Sequence, residues 1–368
     1  MKILHVVGAR PNFMKVAPVM RALAAQESRI EQVLVHTGQH YDANLSDVFF
    51  EELGMPHPDV NLGVGSGSHA AQTAQVMMAF EPVVHEVQPD WVVVVGDVNS
   101  TLAATLVCSK LGIPVAHVEA GLRSFDQRMP EEINRIVTDR LADLLFTPSV
   151  DGDENLLKEG VPLEKIHRVG NVMIDTLVRL LPQAEQRWAG LQASLIGQDA
   201  LAEQSYLLVT LHRPSNVDEP GPLDEIMAAL DEASHWLPVL FPVHPRTRQA
   251  LADYGIQPRS DGVHLLEPLG YLDFLALEAH ARLVLTDSGG IQEETTYLGV
   301  PCLTARPNTE RPVTITHGTN QLVASEQEAL IQAIQTRLVE PERSPEPPEL
   351  WDGHAAERIA AVFRSLGD

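Results

Sequence analysis

The sequence has few cysteines, few basic residues and no long apolar run. Only two cysteines occur among the 368 residues, Cys108 and Cys302, both in apolar surroundings. They are predicted to be small buried side chains, which disfavours a disulfide scaffold and cysteine catalysis. No uninterrupted apolar stretch approaches the roughly 18 residues that span a bilayer, and the first residues lack the apolar core of a secretion signal. A cytoplasmic protein without a membrane partner is expected.

Basic residues are outnumbered almost two to one. The chain has 26 Lys and Arg against 50 Asp and Glu, a formal net charge of -24. This excess of negative charge disfavours nucleic acid as a partner. Any anionic ligand must therefore be held by basic groups that cluster locally. The 44% hydrophobic and 21% charged content is typical of globular proteins, and the length predicts about two domains.

Short β-branched runs alternate with amphipathic segments of helical length. This pattern predicts an α/β fold of parallel βαβ units with helices on both faces of each sheet. The clearest predicted strands are 2–7, 32–36, 91–95, 115–118 and 144–147 in the first half, and 206–211, 239–243, 262–267, 281–287 and 300–305 in the second. We therefore predict two Rossmann-like domains, 1–170 and 171–350, with ligands bound beyond the carboxyl ends of the strands and a cleft between the domains.

Carboxylates follow two predicted neighbouring strands. Asp97 comes two residues after the end of the apolar strand 91–95, and Glu119 directly follows strand 115–118. Glu131 opens a predicted helix four residues before Arg135. If the three acids converge, mutual repulsion raises the proton affinity of at least one, which suits general acid–base catalysis. The alternatives are that Asp97 caps a helix and that Glu131 forms a surface ion pair with Arg135.

Several other residues could hold a phosphorylated ligand at the same ends of the predicted strands. Arg10 and Lys15 flank a helix start where free amide groups favour an anion, in place of a glycine-rich dinucleotide turn; solvated turn charges are the alternative. His212 is a candidate phosphate partner, or a strand-end histidine satisfied by the backbone.

A helix start in the second half could also bind an anion. Ser288, Gly289 and Gly290 follow strand 281–287 and open a predicted helix whose amides could cradle a diphosphate. Glu294 could accept hydrogen bonds from ribose hydroxyls, and Arg311 supplies a further cation. The stretch from Leu269 to Phe274 could contact a base, although Phe274 could equally belong to the core. Neither H-E-x-x-H nor a Cys/His cluster occurs, so no metal site is expected.

Taken together, eight segments resemble the non-hydrolysing UDP-N-acetylglucosamine 2-epimerases. In chain order they are GARPNFMKVAPV, TGQHYD, GDVNST, HVEAGLRS, PEEINR, TLHRPSN, DSGGIQEE and TERP, spread over roughly residues 1–323. The resemblance implies a GT-B-like pair of domains with the active site in the inter-domain cleft, a homodimer, and a C-terminal helix, here 351–366, that packs back on the first domain. It also implies that neither a redox cofactor nor an essential metal takes part.

The resemblance implies an isomerase that interconverts UDP-N-acetylglucosamine and UDP-N-acetylmannosamine through UDP elimination and a 2-acetamidoglucal intermediate. It gives acid–base roles to Asp97, Glu119 and Glu131 and places His212 beside the diphosphate, without assigning base and acid. The residues that it implies contact the UDP-sugar are Arg10, Lys15, Arg135, Leu269, Phe274, Ser288, Gly289, Gly290, Glu294 and Arg311.

The sequence also departs from that family in two places. His212 is followed by Arg-Pro-Ser-Asn rather than Arg-Arg-Glu-Asn, and residues 41–44 lack the glutamines of a second, activating substrate site, which argues against allosteric activation. Four alternatives stay open: an epimerase of UDP-diacetamido-uronic acids, a GT-B-like glycosyltransferase, a hydrolysing epimerase that releases free sugar, and a non-catalytic nucleotide-sugar sensor.

Overall fold

The chain folds into two α/β units, each with its own parallel sheet. The computed structural model describes residues 1–25, 30–38, 52–195, 205–340 and 347–367. The first unit comprises Met1–Thr176 and the C-terminal stretch from Glu349, and the second comprises Leu177–Pro348. The chain therefore leaves the first unit, forms the second and returns to the first.

The first unit has a parallel sheet of seven strands within these ranges, in the order β3-β2-β1-β4-β5-β6-β7. The strands are β1 (Lys2–Val7), β2 (Glu31–His36), β3 (Val60–Asn61), β4 (Trp91–Val95), β5 (Val115–Val118), β6 (Leu144–Thr147) and β7 (Ile166–Arg168). The accompanying helices are α1 (Arg10–Ala24), α2 (His69–Val87), α3 (Asn99–Leu111), α4 (Pro130–Leu141), α5 (Val150–Lys158) and α6 (Val172–Leu195), the last of which continues into the second unit.

The second unit has a parallel sheet of six strands in its described part, in the order β10-β9-β8-β11-β12-β13. The strands are β8 (Leu207–Thr210), β9 (Val239–Pro242), β10 (Val263–Leu266), β11 (Leu283–Thr286), β12 (Cys302–Ala305) and β13 (Asn320–Val323). The helices are α7 (Pro214–Val217), α8 (Pro220–Ala233), α9 (Pro245–Tyr254), α10 (Tyr271–Ala279), α11 (Gly289–Leu298), α12 (Val313–Thr316) and α13 (Gln327–Val339), after which α14 (Ala355–Gly367) returns to the first unit. None of the described helices combines the length and apolar character needed to cross a membrane.

The strand order determines where a ligand can bind in each unit. In each sheet the order reverses at one point, between β1 and β4 in the first and between β8 and β11 in the second. Connections that leave the carboxyl ends of such strand pairs diverge to opposite faces and open a crevice. The turns after these four strands therefore hold the residues best placed to contact a ligand.

The C-terminal helix α14 packs against α1 and the first sheet. The ring of Phe363 lies edge-on to Trp91, with 5.8 Å between centroids, and 6.0 Å from the ring of Phe146. The helix begins at Ala355 rather than at the predicted residue 351, because Gly353 adopts a left-handed φ of 83° that interrupts helical geometry.

Asp175 joins α6 to the beginning of α14. Its carboxylate accepts hydrogen bonds from the backbone N–H groups of Ala355 at 3.1 Å and Ala356 at 2.7 Å. Burial raises the pKa of Asp175 to about 6, although these two N–H groups act in the opposite direction. A carboxyl whose folded-state pKa is raised contributes stability at low pH and loses it as the pH rises through the folded-state value.

Replacing Asp175 with asparagine is expected to change how stability depends on pH. As the pH rises from about 4 to 6, the wild-type free energy of unfolding should fall by roughly 3 kcal/mol relative to that of Asp175→Asn. The reason is that the Asp175 carboxyl loses its proton at a lower pH in the unfolded chain than in the folded protein. Urea denaturation at pH 4.5, 5.5 and 6.5 measures this difference, with Asp143→Asn as the control for an exposed aspartate. Parallel curves for wild type and Asp175→Asn would contradict the assignment.

Candidate active site

Asp97 follows β4 and is paired with an arginine from α4. Nη1 of Arg135 donates to Oδ2 of Asp97, while Nη2 and Nε of the same guanidinium donate to Oε2 of Glu132 at 2.6 and 3.1 Å. Arg135 and Glu132 are buried, whereas the Asp97 side chain is 27% exposed. Asp97 is therefore the member of this triad that a ligand can reach. It is not a helix cap, since α3 begins after Val98 without a side-chain cap.

Glu119 occupies a strained position directly after β5. Its φ is 73°, in the left-handed region that residues other than glycine rarely adopt, and such a conformation costs on the order of 1–3 kcal/mol. The N–H groups of Glu119 and Ala120 both bond to the carbonyl oxygen of Phe146, at 3.1 and 3.0 Å, which holds this turn. The Glu119 carboxylate accepts a hydrogen bond from Nζ of Lys15, and both side chains are buried.

Asp97 and Glu119 lie on neighbouring turns, each beside a cation. Asp97 and Glu119 follow adjacent strands, and a Cβ added at Gly96 would lie 3.3 Å from Oε2 of Glu119 and 3.1 Å from Nζ of Lys15. The Lys15–Glu119 pair thus lies beside the backbone that carries Asp97. Each carboxylate contacts its own cation. Two acids held by separate cations therefore follow adjacent strands of the first sheet.

Glu131 is half-buried in the first turn of α4, and no cation contacts it in the described part of the chain. The alternative, a surface ion pair of Glu131 with Arg135, does not form, because Arg135 is directed toward Asp97 and Glu132. Glu132, which sequence reasoning missed, also accepts hydrogen bonds from the N–H groups of Ser124 at 2.9 Å and Phe125 at 2.8 Å. Burial alone would raise the pKa of Glu132, but these N–H groups and Arg135 hold it below its ordinary value.

In the second unit, His212 follows β8 and is held by a buried aspartate. Asp287, directly after β11, accepts hydrogen bonds from the backbone N–H groups of His212 at 3.0 Å and Arg213 at 2.9 Å, and from Nδ2 of Asn216 at 3.1 Å. Nδ1 of His212 lies 3.1 Å from Oδ1 of Asp287, so Nε2 is the ring nitrogen available to a ligand. Burial alone would raise the pKa of Asp287, but the His212 ring and these donors keep it low.

Ser288 is the N-cap residue of α11, and Gly289 and Gly290 form its first turn. The Ser288 hydroxyl makes no capping bond, and the first amide groups of an α-helix have no partner within the helix. These donors are therefore able to bind an anion. A Cβ at Gly289 would lie only 2.6 Å from Nη1 of Arg311, so a larger residue here would displace the Arg311 guanidinium.

Arg311 lies beneath this turn with its charge already paired. Its Nε is 2.8 Å from Oε1 of Glu293, and its Nη1 donates to Oε1 of Glu310. Burial alone would raise the pKa of Glu310, but Arg311 and Arg306 hold it well below the ordinary value. The structure thus brings Arg311 to the N-terminus of α11 as part of a buried ionic network, which the sequence did not predict.

Glu294 lies on α11, about two turns after the N-cap residue Ser288. It is buried and accepts a hydrogen bond from Oη of Tyr271 at 2.7 Å. Burial raises the pKa of Glu294 to about 7, although Tyr271 acts in the opposite direction. Leu269 and Phe274 are half-buried and pack against the core cluster that contains Trp188. Phe274 is therefore at least partly a core residue. The side chain of Arg10 and residues 39–51 lie outside the described part of the chain.

Comparison with known proteins agrees with this architecture. A family described as UDP-N-acetylglucosamine 2-epimerase matches residues 21–364. The UDP-N-acetylglucosamine 2-epimerase of Methanocaldococcus jannaschii is 42% identical over 99% of both chains, and the UDP-2,3-diacetamido-2,3-dideoxy-D-glucuronate 2-epimerase of Pseudomonas aeruginosa is 41% identical over 100% of both. The crystal structure of the M. jannaschii enzyme with UDP-GlcNAc and UDP superposes with a TM-score of 0.90, at 41% identity, over 99% of this chain and 100% of that one.

The two parallel sheets and the acids at their strand ends define an enzyme with two Rossmann-like domains. Full-length identity above 40% narrows this class further. The chain belongs to the UDP-N-acetylglucosamine 2-epimerase family.

Proposed function

We propose that this enzyme interconverts UDP-N-acetylglucosamine and UDP-N-acetylmannosamine. One observation carries the proposal: Asp97 and Glu119 follow adjacent strands, and each is paired with a separate cation. Inversion at C2 requires that a proton leave one face of the sugar and return to the other. A carboxylate held in place by a cation can accept such a proton, and two independently held acids provide the two positions that inversion needs.

The proposed reaction is an elimination followed by a re-addition. A carboxylate takes the proton from C2, the C2–H electrons form the C1–C2 double bond, and the C1–O bond to UDP breaks. UDP then adds back to C1 of the 2-acetamidoglucal while a proton reaches C2 from the opposite face. The departing diphosphate needs donors, and the second unit offers His212, Ser288 and the first amide groups of α11.

The test is isotope incorporation during turnover. The purified protein is incubated with UDP-N-acetylglucosamine in deuterated water without any acceptor, and the sugar is followed by NMR. The proposal expects deuterium at C2 and accumulation of UDP-N-acetylmannosamine. Release of free N-acetylmannosamine indicates a hydrolysing epimerase instead. No change at all overturns the proposal and favours a glycosyltransferase or a different sugar.

A second substrate class is favoured by the comparison with the P. aeruginosa enzyme, whose name gives a UDP-diacetamido-glucuronate as its substrate. Its identity to this chain, 41%, is nearly that of the M. jannaschii relative, 42%. The two sugars differ at C3 and C6, not at the C1 and C2 atoms where the proposed chemistry occurs. Parallel measurements of kcat/KM with both UDP-sugars therefore decide between them.

We also infer that the protein is a homodimer, as the family resemblance implies. Light scattering coupled to size-exclusion chromatography tests this assembly. A mass of twice the 40.3 kDa chain is expected, and a monomeric mass at micromolar concentration would contradict it.

Glu294 gives the proposed nucleotide site a specific pH dependence. If its carboxylate accepts hydrogen bonds from the ribose hydroxyls, a proton on it removes an acceptor. With a pKa of about 7, the preference for UDP over 2′,3′-dideoxy-UDP should weaken about tenfold from pH 8 to pH 6. Isothermal titration calorimetry with both ligands measures the ratio of their two Kd values. The ionisation of the diphosphate affects both ligands equally and therefore does not change this ratio. The Glu294→Gln variant should show the same ratio at both pH values; a pH-independent ratio in the wild type would contradict the ribose contact.

A further inference from the structure

His117 lies in the middle of the first sheet, beneath the two turns that carry Asp97 and Glu119. It is part of β5, aligned with Val94 on one side and Leu145 on the other, and it is fully buried. Its Nε2 is 2.8 Å from the carbonyl oxygen of Gly96, and its Nδ1 is 2.6 Å from Oδ1 of Asp139. A carbonyl oxygen can only accept a hydrogen bond, so Nε2 must donate. A second proton must then lie between Nδ1 and Asp139.

The surroundings of Asp139 assign that second proton to the histidine. The other carboxylate oxygen of Asp139 accepts hydrogen bonds from the N–H of Gly121 at 3.0 Å and from Nη1 of Arg123 at 2.7 Å. Burial alone would raise the pKa of Asp139, but His117 and Arg123 hold it below its ordinary value. Asp139 is therefore an anion that accepts on both oxygens, and His117 is a cation that donates from both ring nitrogens.

Arg123 completes the network toward the surface. Its Nε and Nη2 both bond to Glu159, each at 2.8 Å, and its Nη1 also donates to the carbonyl oxygen of Leu122 at 2.8 Å. Every charge among these four side chains faces an opposite one. Removal of a single partner from such a buried network leaves an uncompensated charge, so the network tolerates little change of geometry.

The His117–Asp139 pair connects the three segments that carry the proposed acid–base residues. Gly96 directly precedes Asp97, and Gly121 lies two residues after Glu119. Asp139 belongs to α4, the helix that also carries Glu131. The backbone at both turns is unusual, with left-handed φ values of 67° at Gly96 and 81° at Gly121. The pair bonds to the backbone of each turn, at the carbonyl oxygen of Gly96 and the N–H of Gly121.

We propose that His117 and Asp139 form a charged positioning pair for the epimerase reaction. The pair holds three segments in a fixed arrangement: the turn after β4, the turn after β5, and helix α4. It thereby sets the positions of Asp97 and Glu119 around the sugar carbon. The inference rests on the proposed function for the identity of the reaction. The hydrogen bonds of His117 can be tested without knowledge of the substrate.

Two substitutions separate the two hydrogen bonds of His117. In His117→Gln the amide nitrogen reaches the position of Nε2 and can still donate to the carbonyl oxygen of Gly96. In His117→Asn the amide nitrogen reaches only the position of Nδ1, so the bond to Asp139 is kept and the bond to Gly96 is lost. For His117→Asn we expect kcat to fall roughly 30-fold with KM changed less than about threefold, since misplacement of catalytic groups by about 1 Å can cost up to 10²-fold in rate. His117→Gln should retain kcat within about fivefold of wild type.

A merely structural role predicts a different outcome: both variants would lose stability, with normal kcat per folded molecule. Circular dichroism and active-site titration with UDP therefore accompany the kinetics. Equal kcat values for the wild type and both variants would overturn the inference. Should His117→Asn not fold, His117→Thr, which also lacks the donor to Gly96, takes its place, with the same expected loss of kcat at unchanged KM.

NMR of the protein labelled with ¹⁵N-histidine tests the charge of the pair directly. Both ring nitrogens of His117 should carry protons at neutral pH in the wild type, and only one should do so in Asp139→Asn. A single protonated nitrogen in the wild type overturns the inference whether or not the protein epimerises any sugar. Conversely, lack of epimerisation with a doubly protonated His117 rejects the proposed function, and a positioning role for that reaction falls with it.

Discussion

Replacing Asp97 with asparagine is expected to lower kcat for epimerisation by about 10²-fold or more while UDP affinity stays within about twofold of wild type. Asparagine has nearly the same shape and can still accept a hydrogen bond from Arg135, so the structure of the turn should survive. It cannot take up a proton from C2 or deliver one. Steady-state kinetics with UDP-N-acetylglucosamine, together with calorimetric titration of UDP, measure the two quantities separately.

Asp143→Asn is the matched control for this substitution. Asp143 lies before β6, at the amino end of the same sheet, and its side chain is 46% exposed. It should leave kcat and UDP affinity unchanged. If Asp97→Asn instead lost UDP binding and retained normal turnover per bound site, Asp97 would be a binding residue and the acid–base role would be wrong.

Arg135→Met is expected to lower the free energy of unfolding by about 3–5 kcal/mol. The substitution keeps an unbranched side chain of similar length but removes the only cation that both Asp97 and Glu132 contact in the described residues. Glu132 is almost completely buried, so its charge would remain without a counter-charge in the interior. Urea denaturation at neutral pH measures the loss.

Arg128→Met provides the comparison, since the Arg128 side chain is 89% exposed and, among the residues that the structure describes, forms an ion pair with Asp126 alone. Exposed ion pairs contribute on the order of 0–1 kcal/mol, so this variant should remain close to wild type. Similar losses for the two variants would show that the buried triad contributes no more than a surface pair. A double variant, Arg135→Met with Glu132→Gln, should regain part of the stability because the buried charge is gone.

The central strands could be predicted from the sequence because they are buried on both faces. β4 consists of Trp91-Val-Val-Val-Val95, a continuous apolar run whose only structural interpretation at that length is an interior strand. The edge strands β3, β7 and β13 were missed, since they have only two to four residues and include polar side chains. A short edge strand depends on its neighbour for hydrogen bonds and needs no apolar signal of its own.

The acids of the candidate site could be located for the same reason. A carboxylate one or two residues after a buried parallel strand must lie at the carboxyl edge of the sheet, so Asp97 and Glu119 were predictable. Their partners were not, because Lys15 and Arg135 approach from other elements over a distance that sequence spacing does not encode. Asp287 follows β11 in the same manner as Asp97 follows β4, and this signal could have identified it as the residue that orients His212.

The return of the chain to its first unit affects how the protein is made. The second unit has all its residues once Pro348 has been synthesised, whereas the first still lacks α14, which covers α1. At translation rates of about 5–20 residues per second, the nascent chain spends on the order of 10 s or more with that face of α1 open to solvent. The unit begun first is thus completed last, and until then the growing polypeptide offers chaperones an apolar surface that the mature enzyme conceals.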